Sequence, residues 1–276
     1  MNKVINKEFL SLKVAKLEIA APEIALSRKP GHFVIVRVDK LGERIPLTIA
    51  DSDKEKGTIT LIVQEVGVSS AKLIALNQGD YVLDVVGPLG KCTHIEKVGT
   101  VLAAGGGVGI APLMPIVKGF KDAGNKVITI LAARTKDLLI LEDEMRSNSD
   151  ELLIYTDDGS YGQKGLVTNG IEQVLTKQSV DEAIVIGPAI MMKFASEVTR
   201  KYNVPTQASL NSIMVDGTGM CGACRVTVDG QTKFVCVDGP EFDAHKVDFD
   251  LLLQRLNAYR DAETLAYQKY IQTIQK

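Results

Sequence analysis

Three of the chain's four cysteines fall in one short stretch, as Cys221, Cys224 and Cys236. The first two are spaced C-x2-C, and eleven residues separate the second from the third. The stretch Met214-Val-Asp-Gly-Thr-Gly-Met-Cys-Gly-Ala-Cys224 is rich in glycine, and the third thiol sits in Phe234-Val-Cys-Val-Asp-Gly-Pro240. Thiolates at short spacing on such a loop suit soft metals, either zinc or an iron–sulfur cluster. The loop bends around the metal, and its N–H groups can point at the sulfurs. A four-ligand site needs one more donor. Asp216 stands four intervening residues before Cys221, where the plant-type C-x4-C-x2-C spacing has its first cysteine. An aspartate beside Gly217 also suits an ordinary turn, and Cys92 is the rival fourth ligand. Cys92 falls in a different domain and reads as a small, partly buried residue. A zinc knuckle normally pairs two C-x2-C or C/H halves, and no histidine lies inside this loop; His245 follows a Gly-Pro turn and reads as surface.

The elements that must position this loop change character along the chain. Phe33–Val38, Thr58–Val63 and Tyr81–Val86 are short apolar runs, each preceded by a turn signal at Pro30-Gly31, Lys56-Gly57 or Gly79-Asp80. Short strands at this spacing predict a small antiparallel barrel, with one helix over Ser69–Ala75. Ser70 and the N–H groups beside it would open that helix and form an anion site. From Val98 the pattern becomes alternating strands and helices, which predicts a parallel α/β sheet. The strand Thr100–Ala104 runs into Gly105-Gly106-Gly107-Val108-Gly109-Ile-Ala-Pro112 and then an apolar helix over Leu113–Ala123. A Gly-rich turn from strand to helix lets a pyrophosphate approach the backbone at a helix N-terminus. Further strands are expected at Val127–Ala133, Leu152–Tyr155 and Ala183–Ile186. Arg225–Val228, the Asp229-Gly230 turn and Lys233–Cys236 predict a hairpin holding Cys224 and Cys236 on facing strands. The tail over Phe249–Ile274 reads as amphipathic helix with a break near Asp261, packed either on its own domain or on a partner.

The chain has 276 residues, 45% hydrophobic and 24% charged, with a net charge of −2. This is a globular composition long enough for two domains, and its charge offers nothing to nucleic acid or to a membrane surface. The longest apolar run, Val101–Val117, is broken by glycines and prolines, so no membrane span is expected. The N-terminus lacks a signal-peptide core. Clustered cysteines then point to metal binding in a reducing, cytoplasmic setting rather than to disulfides.

The cluster stretch with Asp216 at the first ligand position, together with Val237-Asp-Gly-Pro-Glu-Phe242, resembles the electron-transfer subunits of dihydroorotate dehydrogenase. It is closer to the small subunit of the electron-bifurcating NADH-dependent reduced ferredoxin:NADP+ oxidoreductases, also described as a sulfide dehydrogenase subunit, which carries an aspartate there. Both resemble the ferredoxin reductase superfamily. The resemblance implies an α+β multi-domain fold. An antiparallel β-barrel flavin domain over 1–96 would precede a parallel α/β nicotinamide-nucleotide domain over 97–203, a [2Fe-2S] lobe over 204–246 and a C-terminal helical tail over 247–276. It implies FAD held by Arg44 at the pyrophosphate, Thr48 at the flavin ring and Pro46 and Leu47 against it. Leu47 stands where many superfamily members have an aromatic residue. Ile62, Val63, Gln64, Gly67, Ser69 and Ser70 would line the rest of the flavin site. NAD(H), as substrate, would meet the turn Gly105, Gly106, Gly107, Val108, Gly109 and Pro112. Ala133 and Arg134 would lie at its adenosine ribose and Asp157 and Asp158 near the nicotinamide side, while Gly187 and Met191 match the family's G-P-x-x-M segment of the same site. Arg134 could favour a 2′-phosphate, or pair with Asp137 or Glu142; Asp157 and Asp158 are also ordinary turn residues. The cluster ligands implied are Asp216, Cys221, Cys224 and Cys236. No side chain is assigned as a catalytic acid or base, because hydride transfer needs positioning more than proton transfer.

The expected function is electron transfer between NAD(H), FAD and a [2Fe-2S] cluster, to or from a larger flavin/iron–sulfur subunit of a heteromer. The alternatives are a dihydroorotate dehydrogenase electron-transfer subunit, a non-catalytic redox sensor and a zinc-stapled protein. Asp216 argues against the first, whose pattern has cysteine at that position.

Overall fold

A computed structural model describes residues 1–274; the last two positions of the expected 247–276 tail lie outside the described residues. The first seven strands are β1 (Asn2–Ser11), β2 (Val14–Ala20), β3 (Phe33–Arg37), β4 (Ile45–Asp53), β5 (Thr58–Gln64), β6 (Tyr81–Val82) and β7 (Asp84–Leu89), with helices α1 (Pro22–Ser27) and α2 (Val68–Ala75) between them. They form one antiparallel sheet in the order β6-β1-β2-β5-β4-β3-β7. Its two edges are consecutive in the chain, separated only by Leu83, whose N–H donates to the Val38 carbonyl at 3.1 Å. The sheet therefore curls nearly shut. The single strand expected over Tyr81–Val86 is two strands, because the chain changes partner from β1 to β3 at Leu83.

Alternation along β5 gives the barrel two apolar faces. Ile59, Leu61 and Val63 point into the barrel core, while Ile62 joins Val14 and Ala50 in a core shared with the next domain. That domain comprises β8 (Thr100–Gly106), α3 (Ile110–Asp122), β9 (Lys126–Ala133), α4 (Glu142–Asn148), β10 (Glu151–Thr156), β11 (Gln163–Lys164), α5 (Val167–Lys177), β12 (Glu182–Ile186), α6 (Ala189–Lys201) and β13 (Thr206–Ser209). The strands from β8 to β13 are parallel. Along β8, Val101 and Ala103 pack with Ile110, Leu113 and Val117 of α3. Leu102 and Ala104 pack with Ile171 of α5 and Met192 of α6 on the opposite face. The sheet order β11-β10-β9-β8-β12-β13 reverses direction at β8. A crevice opens at the strand ends where such an open sheet reverses.

The cysteine loop is inserted within this sheet. It is followed by β14 (Arg225–Val228), β15 (Gln231–Phe234), the one-turn helix α7 (Val235–Asp238) and β16 (Glu241–Asp243), which pairs antiparallel to β13. The stretch expected as a lobe over 204–246 thus gives both ends to the nucleotide sheet. The hairpin turn forms with Asp229 and Gly230 at φ of 52° and 71°, the geometry a two-residue hairpin prefers. Cys236 lies in α7 rather than on a strand facing Cys224. The tail is two helices, α8 (Phe249–Leu256) and α9 (Arg260–Ile274). Asp248 caps α8 by accepting from the Leu251 N–H at 2.9 Å.

Candidate functional site

A cleft of about 2140 Å³ runs between the barrel and the nucleotide sheet. Arg44, Pro46, Leu47, Thr48, Ile62, Val63, Gln64, Gly67, Ser69 and Ser70 line its barrel wall. Gly106, Gly107, Val108, Gly109, Pro112, Ala133, Arg134, Asp157, Gly187 and Met191 line the opposite wall. Gly105 and Asp158 do not reach it. Gly105 is buried one residue earlier on β8. Asp158 is turned onto its own loop, accepting the Ser160 N–H at 2.9 Å. Hydrogen bonds from Ser160 hold its carboxyl below the usual range.

Local chemistry explains the shape. A Cβ on Gly109 would lie 2.6 Å from the Ile186 carbonyl oxygen, so only glycine lets the turn after β8 press against the turn after β12. The Ser70 hydroxyl accepts from the Val66 and Gly67 N–H groups at 2.9 and 3.0 Å and donates to the Gly67 carbonyl at 3.0 Å. It is committed to building the turn at the start of α2. Lys72 of α2 pairs with Asp39 at 2.8 Å, and Asp39 accepts the Leu41 N–H at 2.8 Å. This pins the loop that presents Arg44. Arg134 pairs with neither sequence-suggested partner: Glu142 is held by Arg146 at 2.6 Å and accepts from the Tyr161 hydroxyl at 3.0 Å.

Sequence reasoning did not find a third wall. Residues 209–215 line the cleft between β13 and the cysteine loop, and Tyr259, Ala262, Glu263 and Ala266 line it from the C-terminal helices. Within the first group the Ser212 hydroxyl is buried without a hydrogen-bond partner. Such an orphan is costly, and a polar ligand in the cleft would satisfy it. The Tyr267 hydroxyl donates to Glu65 and ties α9 to the barrel beside Gln64. The helical tail and its break are legible in the sequence, but only α8 buries an apolar face; α9 buries no side chain, and its tie to Glu65 is not legible.

The cysteine loop begins where the cleft ends. Met214 lines the cleft and shares a core with Phe33, Ile35, Cys224 and Cys236. Gly217 has φ +77°, and a Cβ there would lie 2.6 Å from Ile35 Cγ1 on the barrel. The loop is therefore seated directly on β3. Cys224 and Cys236 are buried, with sulfurs 3.2 Å apart. That is too far for a disulfide, whose sulfurs are about 2 Å apart. The Cys236 N–H points at the Cys224 sulfur at 3.5 Å. Burial and the Cys224 thiol push Cys236 up to about 12, so a metal must displace its proton. Asp216 accepts the Thr218 and Cys221 N–H groups, both at 2.9 Å. These hold its carboxyl below the usual range, led by the Thr218 bond. Cys221 is exposed.

The four expected ligands therefore fall in two pairs, the Asp216 carboxylate on the Cys221 N–H and the Cys224 sulfur beside that of Cys236. Among the described residues no group of three or more His, Cys, Asp or Glu side chains is gathered for a metal ion. Two thiols and a carboxylate on one Gly-rich loop, with the Cys236 sulfur of α7 already beside that of Cys224, nevertheless fit a soft-metal or iron–sulfur group by their chemistry. Cys92 is exposed rather than partly buried. His245 is partly buried rather than surface, with Nε2 3.0 Å from the Thr199 hydroxyl; burial lowers its pKa.

A near-closed barrel, a doubly wound nucleotide sheet and a cysteine loop meeting at one cleft define a class: modular flavin- and nicotinamide-dependent oxidoreductases carrying an iron–sulfur module. Family models agree segment by segment. An oxidoreductase FAD-binding domain matches residues 2–94, an oxidoreductase NAD-binding domain 104–197, and the iron–sulfur cluster binding domain of dihydroorotate dehydrogenase B 211–248. The chain is 49% identical over 273 residues to a dihydroorotate dehydrogenase B (NAD(+)) electron transfer subunit homolog of Thermotoga maritima, covering 99% of this chain and 96% of that one. It is 38% identical over 222 residues to a probable electron transfer subunit of the same enzyme from Methanocaldococcus jannaschii, covering 80% and 81%. Among solved structures it matches a chain of the NADH-dependent reduced ferredoxin-NADP oxidoreductase, studied for flavin-based electron bifurcation. The TM-score is 0.93 at 48% identity, over 98% of both chains. This chain belongs to the family of dihydroorotate dehydrogenase B electron transfer subunits and their homologues, and is an electron-transfer subunit of a redox enzyme. No helix among the described residues is long and apolar enough to cross a membrane.

Proposed function

We propose that this chain is the NAD(H)-linked electron-transfer subunit of a cytoplasmic heteromeric flavoprotein of the bifurcating ferredoxin:NADP+ type, working with a larger flavin/iron–sulfur subunit. Bound FAD would supply the exchange of electron pairs with NAD(H) and of single electrons with a [2Fe-2S] cluster. Arg44, an exposed cation on the cleft wall, holds the flavin pyrophosphate together with the N–H groups at the start of α2. Thr48 and Leu47 set the flavin ring, and the orphaned Ser212 hydroxyl gains its partner from the same ligand. Residues 106–109 and the start of α3 receive the NAD(H) pyrophosphate. Arg134 lies toward the adenosine ribose, and Gly187 and Met191 toward the nicotinamide. Asp216, Cys221, Cys224 and Cys236 ligate the cluster. The carboxylate keeps the anionic charge that cysteine would bring, and its position favours the bifurcating type over the dihydroorotate dehydrogenase branch.

One observation carries this reading: Met214 belongs both to the cleft wall and to the core holding Cys224 and Cys236. The flavin cleft and the cluster loop are thereby contiguous. The test is the composition of the purified chain. About one flavin, two irons and two acid-labile sulfides per chain support the reading. A colourless chain holding zinc would contradict it.

A further inference from the structure

Of the three peptide units between Cys221 and Cys224, the last two each offer their carbonyl to an arginine side chain. Arg225 Nη1 donates to the Gly222 carbonyl at 3.2 Å. Arg255 Nη2 donates to the Ala223 carbonyl at 3.0 Å. Arg255 belongs to α8, which has its own contacts with the nucleotide domain. Phe249 and Leu252 are buried in the shared core, and Asp250 pairs with Lys193 of α6 at 2.7 Å. The donor is thus fixed to the nucleotide domain. In a trans peptide the N–H points opposite to the C=O, and both of these peptides are trans. With the carbonyls turned to the arginines, the Ala223 and Cys224 N–H groups face the other way. Neither meets a protein acceptor among the described residues.

We infer that Arg225 and Arg255 are positioning residues that aim these N–H groups at the cluster sulfurs, and that Arg255 adds a fixed positive charge beside the loop. This rests on the cluster reading above. Adding an electron adds negative charge, which N–H donors and a nearby cation stabilise. Both effects raise the reduction potential, so removing Arg255 lowers it.

The test is an EPR-monitored redox titration of the full chain carrying Arg255→Met or Arg255→Lys, with iron and sulfide content measured alongside. Arg255→Met is expected to keep the cluster and shift its reduced-to-oxidised ratio about tenfold toward oxidised at fixed potential, which is about 59 mV for one electron. Arg255→Lys, which keeps the charge, is expected to shift it less. A ratio within twofold of native in Arg255→Met overturns the inference. So does loss of the cluster from both variants, which would make Arg255 a packing residue. If only the methionine variant loses it, a lowered potential in Arg255→Lys supports the inference and a native potential overturns it. A native chain without an EPR-active cluster would instead refute the functional reading on which the inference rests.

Discussion

The Tyr267 hydroxyl donates to the carboxylate of Glu65, one residue beyond Gln64 on the cleft wall. Among the described residues α9 has no buried side chain, so this bond is a principal tie between the C-terminal helix and the barrel. A hydrogen bond to a charged group contributes about 1.5–3 kcal/mol. Tyr267→Phe should therefore speed amide exchange across 260–274 by about tenfold or more, measured by hydrogen–deuterium exchange. Barrel amides in β5 should be unaffected.

Arg44 is held in place indirectly, through the Lys72–Asp39 pair that pins its loop. Arg44→Met removes a charge-assisted contact worth about 1.5–3 kcal/mol. FAD affinity should fall roughly 10- to 100-fold in a fluorescence titration of the flavin-free chain. Lys72→Met should cause a smaller loss, because it loosens the loop without removing the cation.

Ser212 carries opposite signs for the empty and loaded protein. Its buried hydroxyl lacks a partner, and an unsatisfied buried group costs about 1–3 kcal/mol. Ser212→Ala should raise the melting temperature of the flavin-free chain and weaken flavin retention. Melting curves with and without FAD give both signs. A fall in stability of the flavin-free variant would refute this account of the residue.

Glu241 makes stability depend on pH near neutrality. It accepts from the Thr93 hydroxyl at 2.7 Å, at a seam where Gly31, Thr93 and β16 converge. Burial lifts it to about 7. The folded chain therefore holds this proton more tightly than the unfolded chain. The stability it brings is full below the ordinary carboxylate range and is lost as pH rises through about 7. At about 1.4 kcal/mol per unit, Glu241→Gln should be more stable than native by up to roughly 3 kcal/mol at pH 8.5. The two should converge on acidification, as thermal melts across pH would record.

The parts legible in the sequence were those with local signatures. The turn over Gly105–Pro112, the Asp229-Gly230 hairpin and the spacing from Asp216 to Cys236 each carry their geometry in a few adjacent residues. β1 and β2 lack such a signature: β1 buries only Val4 and is otherwise largely polar or exposed, and β2, although it alternates with Lys16 and Glu18 on its outer face, follows β1 with no Gly or Pro to mark the turn. The apolar neighbours of Cys236 suit a strand, but the chain turns into α7, where the Cys236 sulfur lies beside that of Cys224. Ser212, Arg255 and Tyr267 belong to no motif. Each acquires its role from a partner or a cavity supplied elsewhere in the fold, as with Tyr267 and Glu65 at 202 residues' separation.

The central claim is that NAD(H), the flavin cleft and the cysteine loop form one electron path. The most direct test is rapid-freeze EPR and visible spectroscopy of the purified chain mixed anaerobically with NADH. Flavin bleaching followed by a reduced two-iron signal is the predicted result. A cluster that dithionite reduces and NADH does not would contradict the account, and would leave a sensor whose cluster is separate from the nucleotide chemistry.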